Sequence, residues 1–289
     1  MKAVQRYAVF TVDVEDWFHV ENLRGAISRD CWDRLELRVE RNVFRILELM
    51  VDRGARGTWF VLGWVAERLP SLVRAISDAG YEVASHGFGH ERIDLLSVEQ
   101  FRSDVKRSKD LLEDIIGAPV IGYRAPCFSI TEWAIDVLRE IGFQYDSSAF
   151  TVIAHDRYGK LAGATPAGEQ VYEVRSGFYE VCVSTLPILG YGLPWGGGAY
   201  FRFLPYRLFR AGVHHLLASG RPYVFYIHPW ELDPEQPRVS GLRRNRAFRH
   251  YVNLGRTEGR LRTLLQEFRW NTVRELIVQH TKFNAAARS

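Results

Sequence analysis

Residues 57–90, GTWFVLGWVAERLPSLVRAISDAGYEVASHGFGH, decide the fold. Gly57–Gly63 is a short aromatic and β-branched run bounded by glycines, which predicts a buried strand. Trp64–Ala79 predicts a helix, and Gly80 supplies its stop. Tyr81–Ser85 predicts the next strand. Strand, helix and strand at this spacing form a βαβ unit, and its two strands lie parallel.

The alternation continues outward. Tyr7–Val14 predicts a strand, and Val39–Val51 a helix with Val43, Ile46, Leu47 and Met50 on one face and Gly54 as its stop. Ser97 and Gln100 make a capping-box pattern that opens a helix to about Ile116. Ile121–Ala125 and Phe143–Ser147 predict strands on either side of a helix at Thr131–Ile141. From about Thr151 to Pro205 the pattern breaks into a Gly- and aromatic-rich stretch of loops or antiparallel strands. Arg207–Ala218 returns to helix and Pro222–Ile227 to a buried strand. The tail from about Pro234 begins as a Pro- and Arg-rich loop and ends in a helix from roughly Gly259 to Gln279.

Composition narrows the class. The chain has 289 residues, 47% hydrophobic and 25% charged, which excludes a disordered, collagenous or coiled-coil protein. A net charge of +4 is too small to imply nucleic acid. Cys31, Cys127 and Cys182 stand far apart, against a disulfide scaffold and against a Cys-ligated zinc site. The apolar run at Tyr7–Val12 is too short for a signal-peptide core, and no stretch of roughly 18 apolar residues exists. The expected compartment is therefore the cytoplasm.

In parallel α/β folds the C-terminal strand ends face the site. Here those ends carry Asp13, Glu15 and Asp16; His86 and His90; Arg124; Asp146; and His228. Gly87 and Gly89 disfavour a helix between the two histidines, and a tight turn would let both imidazoles converge. Imidazole and carboxylate together suit a zinc-like metal. Strand alternation puts Asp13 and Glu15 on one face and Asp16 on the other, unless the strand has already ended. Two carboxylates on one face can divide the labour, one holding metal and one taking a proton. Each motif also has a plain reading: His86 and His90 as surface residues in a turn, Asp146 as a cap, His228 as a satisfied core residue. Their joint placement at strand ends carries the functional one.

Taken in order, these motifs resemble the polysaccharide deacetylase family that shares the NodB homology domain. The matching residues are Asp13 with Glu15, His86–His90, Arg124-Ala125-Pro126, Asp146-Ser147 and Ile227-His228, and the resemblance covers roughly residues 5–150 and 221–231. Asp13–Trp17, Gly196–Pro205 and His228–Arg238 are similar to a branch often encoded with exopolysaccharide genes. Two departures stand out: Val14 separates carboxylates that are adjacent in the common motif, and Cys127 replaces the usual aromatic after Arg-x-Pro.

The resemblance implies an α/β fold, a distorted (β/α) barrel of about seven parallel strands. The barrel would span residues 1–231 with an insert at about 151–205, and an Arg-rich extension at 232–289 would pack on it. It implies metal-dependent hydrolysis of N-acetyl groups on a glycan, with a divalent ion, foremost zinc. Glu15, His86 and His90 are the implied ligands, with Asp16 the alternative to Glu15. Asp13 is the implied base, held by Arg124, and the Cys127 backbone N–H would stabilise the oxyanion. His228 would protonate the leaving amine, with Asp146 fixing its charge state.

Trp195 and Tyr200 are candidates for a sugar-binding wall or for a packed aromatic loop. The ten arginines from Arg238 to Arg274 suit an acidic glycan or membrane surface, or else a solvated face and intramolecular partners. The expected partner is an N-acetylated glycan, with action at the inner membrane face and no nucleic acid. The rivals are a hydrolase of small cyclic amides and a catalytically silent carbohydrate-binding protein.

Overall fold

The computed structural model describes residues 8–150, 170–188 and 191–288. Tyr7 and the first part of the stretch expected as an insert, residues 151–169, lie outside them. In chain order the elements are β1 (Ala8–Val14), α1 (Val39–Val51), β2 (Thr58–Val61), α2 (Gly63–Arg68), α3 (Pro70–Asp78) and β3 (Glu82–Ser85). Next come α4 (Val98–Ile116), β4 (Gly122–Tyr123), α5 (Glu132–Ile141), β5 (Tyr145–Asp146), β6 (Val171–Arg175), β7 (Phe178–Val181), β8 (Thr185–Ile188) and β9 (Tyr191–Pro194). The chain continues with α6 (Gly198–Phe203), α7 (Tyr206–Ala218), β10 (Tyr223–Ile227), α8 (Arg244–Tyr251), α9 (Leu254–Glu267), β11 (Trp270–Asn271) and α10 (Val273–Arg288).

The main sheet runs β10-β1-β2-β3-β4-β5-β7-β6, parallel except for the β6–β7 pair. The seam between β7 and β10 is bridged by irregular chain. The Ser184 amide donates to the Val224 carbonyl, the Gly196 amide to that of Ser184, and the Tyr226 amide to that of Gly196. The result is the distorted (β/α) barrel that the resemblance implies.

Alternation along each strand divides the core. Phe10, Val12, Val14 and Val61 face the helices, together with the apolar stripe of α1. Val9, Phe60, Ala84, Val181 and Val224 face inward and pack on one another. Val273 and Leu276 of α10 join this interior group, closing the barrel at the strands' N-terminal end. The opposite end is left for polar side chains.

Two expectations fail locally. The helix expected over Trp64–Ala79 is two helices broken at Leu69, because Pro70 lacks the N–H needed to continue and instead starts α3. The helix expected over Gly259–Gln279 is interrupted by β11, which pairs in parallel with Ala8 and Val9 of β1. Trp270 packs against Phe10 with ring centroids 5.5 Å apart, burying an indole that a continuous helix would carry elsewhere. A capping box then starts α10, since Thr272 Oγ1 accepts from the Glu275 amide and Glu275 accepts from the Thr272 amide. Residues 232–289 thus add a strand to the main sheet.

Candidate active site

The strand ends meet at one pocket, lined by Asp13, Glu15, His86, His90, Cys127 and His228 among others. Glu15 lies one residue beyond β1. A Glu15 N–H to Asp13 carbonyl bond of 2.9 Å makes a γ-turn at Val14 and sends the Glu15 carboxylate toward the histidines. The histidines converge because the chain leaves β3 through a turn with Gly87 at φ 71° and His90 at φ 54°. Asp104 of α4 fixes that turn, accepting from the Phe88 amide at 2.8 Å and the Gly89 amide at 2.9 Å. His86 Nε2 and His90 Nε2 each lie 2.9 Å from Glu15 Oε1. Burial pushes the Glu15 carboxyl up, but His90, His228 and the two histidine hydrogen bonds outweigh it and hold it well below the usual carboxylate range.

The donor set fits a divalent metal. His86 Nδ1 is 2.8 Å from the Arg124 carbonyl oxygen, which only accepts, so Nδ1 carries the proton. In the neutral ring, Nε2 then presents a lone pair to Glu15 Oε1, another acceptor. Two facing acceptors require a positive centre, either a proton or a metal ion. Two imidazoles and one carboxylate offer ligand atoms within 4.8 Å of one another, a donor set that suits zinc.

Asp13 is buried beside this cluster, and Arg124 Nη1 lies 2.6 Å from its Oδ1. Arg124 is itself fully buried and clamped: Nη1 donates to Thr11 Oγ1, Nε to the Ser147 carbonyl and Nη2 to Ser147 Oγ. Cys127 lines the pocket in a left-handed turn with φ 56°, followed by Phe128 at φ 58°.

His228 follows β10, with Nε2 3.9 Å from Asp13 Oδ2 and 3.8 Å from Glu15 Oε1. Burial pulls its pKa down, but Glu15, Glu231 and Asp13 overcome this and raise it to about 9. Its Nδ1 is held by Glu231 Oε1 at 2.9 Å, and Glu231 Oε2 pairs with buried Arg202 Nε at 2.7 Å. Arg202 then donates to the carbonyls of Arg249, His250 and Val252 around the end of α8. A Cβ at Gly198 would overlap the Glu231 carboxylate, so only glycine admits this arrangement.

Two open alternatives are resolved by the geometry, and one expected role moves to another residue. Asp16 does not face the histidines: its carboxylate accepts from the amides of Trp17, Arg38 and Val39, tying the turn after β1 to the start of α1. Asp146 is engaged by Ser148, with Oδ1 accepting from Oγ at 2.6 Å, and lies beside Glu180. The acid in contact with His228 is Glu231, at Nδ1, rather than Asp146, which was expected to fix the ring's charge state. Trp195 is buried, stacked on Phe209, and donates to the Phe209 carbonyl, so it is core and forms no sugar wall. Glu231 and Arg202 are the residues that motif order missed. The available signal was an acid three residues after a strand-end histidine, in His228-Pro229-Trp230-Glu231.

Residues 30–145 match the family model described as polysaccharide deacetylase, and residues 147–278 one described as a domain of unknown function, DUF3473. Over residues 30–145 the chain is therefore similar to polysaccharide deacetylases. That span holds His86, His90, Arg124 and Cys127, whereas Asp13, Glu15 and His228 lie outside it.

Over 108 residues the chain is 34% identical to a peptidoglycan deacetylase-like protein of Gibberella zeae, covering 37% of this chain and 32% of that protein. Over 109 residues it is 31% identical to a peptidoglycan deacetylase of Helicobacter pylori, covering 38% and 37%. The chain thus spans about a third of the length of these curated relatives. A crystallised candidate polysaccharide deacetylase from Mycobacterium smegmatis shares the fold, with TM-score 0.65 and 22% identity over 99% of this chain and 93% of that one. Among the described residues, no helix is long and apolar enough to cross a membrane.

Proposed function

We propose that this chain is a metal-dependent hydrolase that removes N-acetyl groups from amino sugars of a polysaccharide. The observation that carries the reading is one pocket holding the Glu15–His86–His90 donor set, the Asp13–Arg124 pair and the His228–Glu231 pair. The curated relatives, named for deacetylation of peptidoglycan, support an N-acetylated glycan as the substrate class. The complete set of acid, base and ligand side chains favours an enzyme over a silent binding protein.

Glu15, His86 and His90 would hold the ion, which we take to be zinc from its nitrogen and oxygen donors. When bound, such an ion supplies Lewis acidity and lowers the pKa of its water. Asp13, fixed by Arg124, is the base that takes the proton of the attacking water. The Cys127 N–H is a donor toward the oxyanion of the acetyl carbonyl. His228 protonates the leaving amine through Nε2, while Glu231 holds Nδ1–H and so fixes the ring's direction and charge. Asp146 supports the site at one remove: Ser148 donates to it, and Ser148 Oγ accepts from the Ala125 amide, next to Arg124. We place the substrate at the inner membrane face, as a nascent or lipid-linked glycan, a reading that cell fractionation tests.

The deciding experiment measures acetate release from N-acetylglucosamine oligomers together with metal content. The wild type should carry about one divalent ion per chain, and His86→Ala should lose both ion and activity, since two remaining ligands hold such an ion poorly. Full metal occupancy and turnover in His86→Ala would overturn the ligand assignment.

A further inference from the structure

Beside the catalytic pocket lies a second cavity of about 220 Å³, lined by Ala199, Tyr200, Phe203, Phe248, Arg249 and Val252. Ala199 and Arg249 also line the catalytic pocket, so the two share a wall. Phe203 and Phe248 are large apolar side chains left 55% and 57% exposed. Their rings meet edge to face with centroids 6.1 Å apart. One comes from α6 and the other from α8, so the pair is built from separate elements.

We propose that this aromatic shelf is a glycan subsite that takes a pyranose ring next to the sugar being deacetylated. The inference rests on the deacetylase reading and names where the rest of its polymer lies. A pyranose presents an apolar C–H face and a rim of hydroxyls. The shelf offers the complement: aromatic faces, with the exposed guanidinium of Arg249 at the edge as a hydrogen-bond donor. Arg249 makes no ion pair among the described residues, which leaves its donors for hydroxyls. Continuity with the catalytic pocket favours a sugar of the same chain over an unrelated apolar partner.

The shelf is also rigidly placed. Arg202 binds the carbonyls of Arg249, His250 and Val252, while Arg260 Nη1 donates to those of Phe201, Arg202 and Leu204. Both walls therefore refer to Arg202, the residue that holds Glu231 behind His228. The shelf residues all lie within the region matching the domain of unknown function, to which this assigns a part in holding substrate.

The test uses Phe248→Ala and Phe203→Ala in the full chain, with a β-1,4-linked N-acetylglucosamine tetramer and 4-nitrophenyl acetate as probes. Both substitutions are at exposed positions outside the catalytic pocket. Each should lower kcat/KM on the tetramer about tenfold, mainly through KM, and leave hydrolysis of the aryl acetate within about twofold. Tetramer binding measured by calorimetry in the inactive His86→Ala background should weaken by the same factor.

Unchanged tetramer kinetics, or an equal loss on the aryl acetate, would overturn the shelf. Tetramer binding that depends on Phe248, with no acetate released by the wild type, would keep the shelf and sink the deacetylase reading. Aryl acetate hydrolysis without tetramer binding would do the reverse.

Discussion

Glu231→Gln is the most revealing single change, because it alters charge while nearly conserving volume. In the native site, Oε1 accepts from His228 Nδ1 at 2.9 Å and from the His228 amide at 3.1 Å, while Oε2 faces Arg202 Nε at 2.7 Å. Glu231 and Arg202 are each 1% exposed. Burial pushes the Glu231 carboxyl up, but Arg202 and His228 overcome it and hold the pKa at about 2. The group is thus ionised throughout the working range, and its stabilising contribution is lost only as pH falls from the ordinary carboxylate value toward 2.

A glutamine has one acceptor oxygen and one NH₂ group. Whichever way it turns, its NH₂ faces either the Arg202 N–H or the His228 backbone N–H, and both are obligatory donors. Removing one partner of a buried ion pair costs about 3–5 kcal/mol, and the retained bond places this variant near about 3 kcal/mol. Urea unfolding measures that loss. Acetate release from an N-acetylglucosamine oligomer should fall about 10²-fold as His228, the proposed general acid, loses its orientation and charge. Hydrolysis of 4-nitrophenyl acetate should change much less, because its leaving group departs without a proton. A stability loss below about 1 kcal/mol would refute the ion-pair argument. Equal losses on both substrates would refute the positioning of His228.

Two further expectations concern the same end of the barrel. Asp13→Asn should keep the bound metal while turnover falls by about 10² or more, and metal analysis of the purified variant separates loss of the base from loss of the ion. The buried carboxyls of Asp146 and Glu180 give a pH signature: burial raises Asp146 to about 6, and burial with Asp146 close by raises Glu180 well above its ordinary value. Raised folded values mean that the folded state binds more protons, so the Asp146 contribution is fully present below about pH 4 and is lost as pH rises through about 6, with that of Glu180 likewise lost as pH rises. Glu180→Gln keeps an acceptor for the Ser148 and Ala149 amides and should flatten that decline; parallel stability curves for variant and wild type would contradict it.

Much of the barrel was legible because period and punctuation agreed. Val39–Val51 and the helix opening at Ser97 carry both an apolar stripe and clear start or stop residues, and both appear where expected. Gly87 and Gly89 rightly disfavoured a helix between the histidines. What could not be read is what depends on distant partners. Trp270 looks like an apolar residue on one face of a helix until Phe10 is beside it, and only then is the capping box at Thr272 decisive. Glu231 could not be linked to His228 without Arg202, which approaches from another helix. Asp16 and Glu15 are neighbours in sequence, and a single γ-turn sends them to different tasks.

The parallel pairing of β11 with β1 bears on how the molecule is made. Asn271 Nδ2 reaches the Ala8 carbonyl across a separation of 263 residues. During synthesis, the strand that delivers Asp13 leaves the ribosome long before Trp270 does. Contacts of such long range close late and slow the approach to the native state. Until then Phe10 lacks its indole neighbour and the start of β1 lacks a hydrogen-bonded flank. A nascent chain would therefore hold the Asp13 carboxylate on an unfinished strand, with the pocket complete only after residue 271 has emerged.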